Sequence, residues 1–227
     1  MSKSVLVVAA HADDEVLGCG GTIAKFSDQG ASVNVVFLSD GVNSRANINH
    51  GALEALERRE IAAKKACDIL GVKSVSFRNY PDNKMDTVAL LEVTKTIEEI
   101  IITFQPDIIL THYFGDLNID HRISYEAVVT ACRPQFNHSV KTILSFEVPS
   151  STEWQLPGNF PAFSPNWYED ISDTFERKIA ALDAYASEMR EWPHPRSLKG
   201  VTALARWRGA TIGVDAAEAF VLGRHIK

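Results

Sequence analysis

Residues 5–10 are six consecutive apolar residues, and the chain then changes abruptly to His11, Asp13, Asp14 and Glu15. An apolar run without alternation is typical of a strand that is buried on both faces of a parallel sheet. Such a strand brings an imidazole and up to three carboxylates to one point at its end. Unpaired charges are costly to remove from water, so this cluster requires a compensating group. Imidazole and carboxylate are both zinc ligands, and the segment therefore indicates a divalent metal site.

Strand-like and helix-like segments alternate through the first two thirds of the chain. The predicted strands are 5–10, 32–38, 75–77, 108–111 and 140–148, and the predicted helices between them are 15–29, 53–70, 87–104 and 121–132. This order favours an α/β fold, a Rossmann-like three-layer sandwich with a mostly parallel, doubly wound sheet. Ligands of such sheets lie beyond the carboxyl ends of the strands. Because His11, Asp40 and segment 112–121 all follow predicted strands, we expect the metal site at that edge.

The length of 227 residues and the hydrophobic content of 45% fit one domain with a large core. We expect a single domain over residues 1–227. It contains a proline-rich loop at 149–167, which is a candidate lid or substrate wall, and a C-terminal helical extension at 173–213. No internal repeat or low-complexity tract divides the sequence.

Charge and cysteine usage exclude several classes of protein. A net charge of −6 argues against a nucleic-acid-binding or anionic-membrane surface, and no apolar stretch approaches the length that a membrane span requires. Cys19, Cys67 and Cys132 are far apart, without a Cys-x-x-Cys motif, which argues against a disulfide framework. These features predict a cytoplasmic protein without a membrane partner.

A catalytic zinc ion keeps three protein ligands and one open position, so one ligand must come from another segment. His11 and Asp14 lie three residues apart at a predicted strand-to-helix turn, where both side chains can turn inward. Residues 115–122 follow the predicted strand 108–111 and offer His121 as the third ligand. Asp120 is the candidate carboxylate that orients the ring of His121.

The run Ala-His-Ala-Asp-Asp-Glu at residues 10–15 resembles the Ala-His-Pro-Asp-Asp-Glu signature of the LmbE-like zinc N-deacetylases. This family includes the N-acetylglucosaminyl-phosphatidylinositol de-N-acetylases. Asp-His at 120–121 resembles the second motif of the family, His-Pro-Asp-His. Ser-Asp-Gly at 39–41, Arg-Arg-Glu at 58–60 and Ala-Glu-Ala-Phe at 217–220 extend the similarity over nearly the whole chain.

The resemblance implies that His11, Asp14 and His121 bind zinc and that Asp13 is the general base that activates water. It implies a metal-dependent amidohydrolase that removes the acetyl group of an N-acetylated amino sugar or its small conjugate and releases acetate. Fe²⁺, Co²⁺ or Mn²⁺ can substitute for Zn²⁺ at a site with two histidines and one aspartate. Members of the family are often oligomeric, and a homo-oligomer is a further expectation.

The sequence departs from the family pattern at two positions. Ala12 replaces the usual proline, and Asn118 stands where the second motif has its first histidine. Asparagine donates a hydrogen bond but cannot deliver a proton. The departing amine must therefore receive its proton from Asp13 or from another group such as His194, and we favour Asp13 as both base and acid.

The candidate substrate-binding residues are Asp40, Arg58, Asn118 and His194. Asp40 can equally cap a turn, and Arg58, like its neighbour Arg59, is more typical of a solvated helix face.

Other polar and aromatic residues of these segments have simpler interpretations. Glu15 suits the N-terminus of a helix, where the helix dipole favours an acid. His112 is more typical of a core histidine than of a ligand. Trp154, Trp167 and Trp192 either stack on a sugar ring or pack within the protein.

Two other functions compete with the hydrolase. A nucleotide-binding oxidoreductase would explain the glycine-rich helix start and Asp40, but the glycines at 18, 20 and 21 do not form Gly-x-Gly-x-x-Gly, and the acids at 13–15 would repel a pyrophosphate. A non-catalytic metal- or sugar-binding module would have no need of Asp13.

Overall fold

The computed structural model describes residues 3–41, 51–136, 138–156, 158 and 160–227, excluding the side chains of residues 51–53. The strands are β1 (Ser4–Ala9), β2 (Ser32–Ser39), β3 (Ser74–Tyr80), β4 (Ile108–His112), β5 (Thr142–Phe146), β6 (Trp167–Asp170) and β7 (Ala217–His225). The helices are α1 (Asp14–Asp28), α2 (Gly51–Leu70), α3 (Leu90–Phe104), α4 (Ile119–Ala131), α5 (Phe175–Ala184) and α6 (Leu198–Ile212), and a 3₁₀ turn covers Met85–Thr87. Within the described part of the chain, no helix combines the length and apolar character needed to cross a membrane.

The seven strands form one sheet in the order β3-β2-β1-β4-β5-β7-β6. The five strands from β3 to β5 are parallel, and β7 and β6 add to the β5 edge in antiparallel orientation. Strand β1 is central, with Val5 paired to Val33 on one side and to Ile108 on the other. The predicted α/β sandwich with a mostly parallel sheet is confirmed.

The two faces of β1 explain its uninterrupted apolar sequence. Val5, Val7 and Ala9 belong to the core on the α1, α2 and α5 side, whereas Leu6 and Val8 belong to the core on the α3 and α4 side. All five side chains are fully buried. Since both faces of the strand are covered by helices, both sets of alternating side chains must be apolar.

The C-terminal third differs from the predicted helical extension. Helices α5 and α6 occupy much of 173–213, but β6 begins at the end of the predicted loop 149–167, and β7 runs back along β5 in the same sheet. Strand β6 has four half-exposed or exposed residues, too few to show a period. One sheet therefore contains strands from both ends of the chain.

Helix α1 changes direction at Cys19, whose φ of −148° is not helical. The carboxylate of Glu218 accepts hydrogen bonds from the backbone N–H groups of Gly21 and Thr22, at 3.0 and 2.7 Å, and so begins the second half of the helix. A Cβ atom at Gly21 would overlap the side chain of Ile171, so close packing at this position depends on glycine. Lys178, 3% exposed, places its Nζ 2.5 Å from Glu218 Oε1.

The ion pair between Lys178 and Glu218 provides the first testable prediction. Replacing Glu218 with alanine leaves a buried ammonium without its counter-charge and should lower the free energy of unfolding by about 3–5 kcal/mol. Replacing Lys25, which forms a more exposed pair with Glu169, should cost at most about 1 kcal/mol. Denaturant unfolding of both variants measures the difference, and equal losses would contradict the structural role of Glu218.

Candidate metal centre

The site lies at the carboxyl ends of the parallel strands, as predicted. The turn from β1 to α1 provides His11, Asp13 and Asp14, and the segment after β3 provides Asp82. His121 lies in the first turn of α4, which follows β4. Because neighbouring parallel strands end at the same edge of a sheet, residues from three distant segments meet there.

His11, Asp14 and His121 form a buried group whose ligand atoms lie within 4.8 Å of one another. Oδ2 of Asp14 is 3.2 Å from Nδ1 of His11 and 3.2 Å from Nε2 of His121. Among the described residues, neither Oδ1 of Asp14 nor Nε2 of His121 has a partner in hydrogen-bond geometry, although both atoms are buried. Two imidazoles and a carboxylate with such orphaned atoms fit a divalent metal ion.

The charges of this group are strongly coupled. Burial opposes ionisation of Asp14, but His121 and His11 outweigh it and hold the pKa of Asp14 well below its ordinary value. Burial also acts against a charged His121, yet Asp14 and Asp116 raise its pKa to about 9. The pocket therefore favours a carboxylate together with positive charge, the charge that a metal cation supplies.

The structure pairs Asp120 with His11, whereas the sequence analysis paired it with His121. Oδ2 of Asp120 is 3.0 Å from Nε2 of His11, and its two oxygens also accept the backbone N–H groups of Asn83 and Met85, at 2.7 and 3.0 Å. The side chain of Asp120 points back across the sheet edge towards β1, because the first turn of α4 presents successive residues in different directions. This contact engages Nε2 of His11, while Nδ1 of the same ring faces Asp14.

Asp116 contacts the other ring nitrogen of His121, with its Oδ1 3.2 Å from Nδ1. It accepts hydrogen bonds from Thr152 Oγ1 at 2.6 Å, from Ser151 Oγ and from the backbone N–H of Asn118 at 2.8 Å. The histidine and these donors hold the pKa of Asp116 at about 2, against the effect of burial. A fully ionised carboxylate on Nδ1–H fixes the tautomer that leaves Nε2 free as a ligand.

Replacing Asp116 with asparagine is expected to weaken metal affinity by about 10- to 100-fold, because the ring of His121 loses its charged partner. Competition between the protein and a chelator of known affinity measures this change. The control is Asp86→Asn, which alters an exposed carboxylate in the 3₁₀ turn. A normal affinity in the Asp116 variant would show that Asp116 does not orient the ligand.

Asp13 lies between His11 and Asp14, the candidate ligands of the first motif, in an unusual backbone conformation with φ of 124°. Nη1 of Arg196 is 3.0 Å from its Oδ2. Burial raises the pKa of Asp13 above its ordinary value, and Arg196 opposes this effect. A buried carboxylate with a raised pKa beside a metal-binding group is suited to accept a proton.

Among the substrate-binding candidates, Arg58 lies outside the site. Its side chain is 70% exposed and pairs with Glu54 at 3.6 Å, as the solvated-face interpretation predicts. The adjacent Arg59 turns inward because successive helical residues point about 100° apart. Arg59 is 15% exposed, pairs with Glu188 at 3.1 Å and lines a small cavity with Asp40.

Asn118 and His194 are both engaged within the protein. Asn118 caps α4: its Oδ1 accepts the N–H of Asp120 at 2.8 Å, and its Nδ2 donates to Asn83 Oδ1 at 3.1 Å. Nδ1 of His194 accepts the backbone N–H of Arg196 at 3.1 Å, and its ring meets Trp154 edge-on.

His112 is fully buried, as the core interpretation predicts, and its Nε2 accepts the N–H of Ala10 at 2.8 Å. Its ring stacks on His121 with the centroids 3.9 Å apart. His112 therefore supports the face of a ligand ring.

Asp82, Asp116 and Arg196 were not predicted from the sequence. Oδ1 of Asp82 lies 3.3 Å from Nε2 of His11. Asp82 follows β3, and its position after a strand of the parallel sheet could have indicated that it belongs to the site. Asp116 lies within residues 115–122, the segment from which His121 was predicted as the third ligand. Arg196 is 183 residues from Asp13, and only its position two residues after His194 could have suggested it.

This parallel sheet, with two histidines and one aspartate at its carboxyl edge and a further carboxylate beside them, defines a metal-dependent hydrolase of the α/β class. The chain belongs to the family described as GlcNAc-PI de-N-acetylase (PIG-L), whose sequence profile matches residues 6–132.

Three relatives illustrate the range of this family. The chain is 32% identical to a diacetylchitobiose deacetylase of Thermococcus kodakarensis over 198 residues, which covers 83% of this chain and 71% of the relative. A crystal structure of N,N′-diacetylchitobiose deacetylase from Pyrococcus horikoshii superimposes with a TM-score of 0.76 and 25% identity, covering 98% of this chain and 84% of the other. A 4-oxalmesaconate hydratase of Pseudomonas putida is 28% identical over 213 residues, 85% of this chain and 76% of the relative.

Proposed function

We propose that the protein is a metal-dependent N-deacetylase that hydrolyses the acetamide of an N-acetylated amino sugar, or of a small conjugate that carries one. The observation that carries this proposal is the position of Asp13, a buried carboxylate directly beside the His11–Asp14–His121 group. Metal binding alone has no use for an additional carboxylate with a raised pKa. The deacetylase relatives support an acetylated sugar as the substrate.

A bound divalent ion supplies two effects here: it lowers the pKa of a water molecule and polarises the acetamide carbonyl. Asp13 accepts the proton of the attacking water as the oxygen bonds to the carbonyl carbon. Arg196 holds Oδ2 of Asp13, which keeps the carboxylate oriented within the site. The C–N bond then breaks, and the products are acetate and a free amine.

The amine needs a proton as it departs, and Asp13 is the group that has just acquired one. Asn118 cannot replace the usual histidine, because both polar atoms of its side chain are used in the cap of α4 and in the contact with Asn83. His194 is the alternative donor. Its Nδ1 accepts a hydrogen bond, so its neutral form carries the proton on Nε2. We favour Asp13 as base and acid.

We infer zinc as the resident ion, because two imidazoles and one carboxylate are the donor set of many catalytic zinc sites. The same donors accept Fe²⁺, Co²⁺ or Mn²⁺, and metal availability contributes to the choice.

To test the proposal, metal is first removed from the protein with a chelator, and the protein is then loaded with Zn²⁺, Fe²⁺, Co²⁺ or Mn²⁺. Each preparation is incubated with N-acetylglucosamine, N,N′-diacetylchitobiose and a nucleotide-linked N-acetylglucosamine. We expect equimolar acetate and free amine from at least one of these compounds. The metal-free protein is the control. A metal-loaded protein that releases no acetate from any acetylated amino sugar would contradict the proposal.

The hydratase relative makes water addition to a small unsaturated polycarboxylate the second candidate function. The observation in its favour is the 28% identity to that relative over 85% of this chain. A base beside a metal-binding group can also activate water for attack on a carbon–carbon double bond. Loss of the ultraviolet absorbance of 4-oxalmesaconate, without release of acetate from sugars, would favour this reaction over deacetylation.

A further inference from the structure

The backbone conformation of Asp13 requires an explanation. Its backbone angles, φ of 124° and ψ of −27°, lie in a region where residues other than glycine are seldom found. Such strain costs about 1–3 kcal/mol and persists only where the surroundings over-determine it. Asp13 also immediately precedes α1, and its carbonyl accepts the N–H of Leu17 at 2.9 Å.

Glu15 holds the backbone of Asp13. Oε2 of Glu15 accepts the N–H of Asp13 at 3.0 Å, and Oε1 accepts the O–H of Tyr185 at 2.6 Å. Glu15 is fully buried and Tyr185 is 1% exposed. The hydrogen bonds therefore form a chain from the end of α5, through Glu15, to the amide of the proposed general base.

The helix N-terminus accounts for an acidic residue at position 15 but not for its burial. An exposed glutamate interacts with the helix dipole at no desolvation cost. Here the carboxylate is removed from water, and a tyrosine 170 residues away in sequence satisfies its second oxygen. The first oxygen of the Glu15 carboxylate accepts the N–H of Asp13. This hydrogen bond fixes the peptide plane next to Asp13 and, with it, the direction of the Asp13 side chain.

We propose that Glu15 and Tyr185 are positioning residues that hold Asp13 in its strained conformation and so aim its carboxylate at the reacting water. This inference rests on the proposed function of Asp13 as the general base. Both side chains are buried, so their loss should lower kcat without changing KM or metal content. A displacement of about 1 Å at a reacting group can cost about 10²-fold in rate.

Four variants separate positioning from simple stability. Glu15→Leu removes both hydrogen bonds and should lower kcat by about 10²-fold. Tyr185→Phe removes one bond and should lower kcat by about tenfold. Glu15→Gln should retain most of the rate, because its amide oxygen accepts the Asp13 N–H and its NH₂ donates to the Tyr185 oxygen. Tyr80→Phe is the control, since it deletes a hydroxyl bonded to Thr96 on α3.

Hydrogen–deuterium exchange of peptides that contain residue 13 provides a readout independent of activity. We expect protection of the Asp13 amide in the wild type, Glu15→Gln and Tyr80→Phe, and faster exchange in Glu15→Leu and Tyr185→Phe. In the double variant Glu15→Gln/Tyr185→Phe, the NH₂ group of the glutamine loses its acceptor. The effects of the two substitutions on exchange at Asp13 should therefore be non-additive.

Unchanged exchange at Asp13 in Glu15→Leu and Tyr185→Phe would overturn the inference, as would rate losses that follow the melting temperature or metal content. A wild type that hydrolyses none of the acetylated sugars would count against the deacetylase function. Amide exchange at residue 13 would still decide whether Glu15 and Tyr185 position the Asp13 backbone.

Discussion

Replacing Asp13 with asparagine should lower the rate of acetate release by about 10²- to 10⁴-fold, the contribution of a positioned general base. Asparagine has the same shape and retains a carbonyl oxygen towards Arg196, but it cannot take the proton of the attacking water. His11, Asp14 and His121 are unchanged, so metal content should stay equal to that of the wild type. Steady-state kinetics and elemental analysis of the same preparation measure both quantities.

Asp28→Asn provides the matched control for this substitution, because Asp28 lies at the far end of α1 in an exposed pair with Arg177. It should leave kcat within about twofold of the wild type, as expected for a surface change. Full activity in the Asp13 variant would remove Asp13 from the mechanism. Loss of metal together with activity would instead assign Asp13 to metal binding.

His121→Ala should reduce metal content from about one ion per chain to near zero and abolish hydrolysis, because a site with three protein ligands loses one of them. The variant also tests whether both motifs are needed for metal binding, because His121 comes from α4 and the other two residues of the group come from the β1–α1 turn. Elemental analysis after purification without added metal measures the effect, and excess zinc should restore little activity.

His225→Ala is the control, since His225 lies at the exposed end of β7 and contacts Thr142. It should retain wild-type metal content. A wild-type protein that is metal-free and takes up no zinc after treatment with chelator would contradict the metal centre as a whole.

Much of the fold was predictable because local patterns and global topology agree in the first two thirds of the chain. Strand β1 and its following acids are recognisable from five or six residues, and the order of strands and helices allows few topologies. The meeting of His11, Asp14 and His121 was predictable for the same reason, since each follows a strand that ends at one edge. Strand β6 was not predicted, because a four-residue edge strand has little periodicity. Strand β7 was not predicted either, although it has nine residues and lies between β5 and β6.

The contacts that complete the site were less predictable. Asp120 and Asp116 lie four residues apart, and both suit the role of holding a ligand ring. Only the direction in which the chain leaves β4 assigns Asp120 to His11 and Asp116 to His121. The sequence also does not show which of the neighbours Arg58 and Arg59 faces the site. The orientation of α2 in the fold decides this, because it exposes Arg58 and turns Arg59 inward.

The α/β class, the edge of the sheet that carries the site and the candidate metal-binding residues could all be predicted from the sequence. Burial periodicity and strand ends are local properties, and they can be recognised without long-range contacts. Only the tertiary structure brought Arg196 to the side chain of Asp13 and Tyr185 to Glu15. These pairs are separated by 183 and 170 residues, and their meeting depends on how α5 and the turn before α6 pack over the sheet.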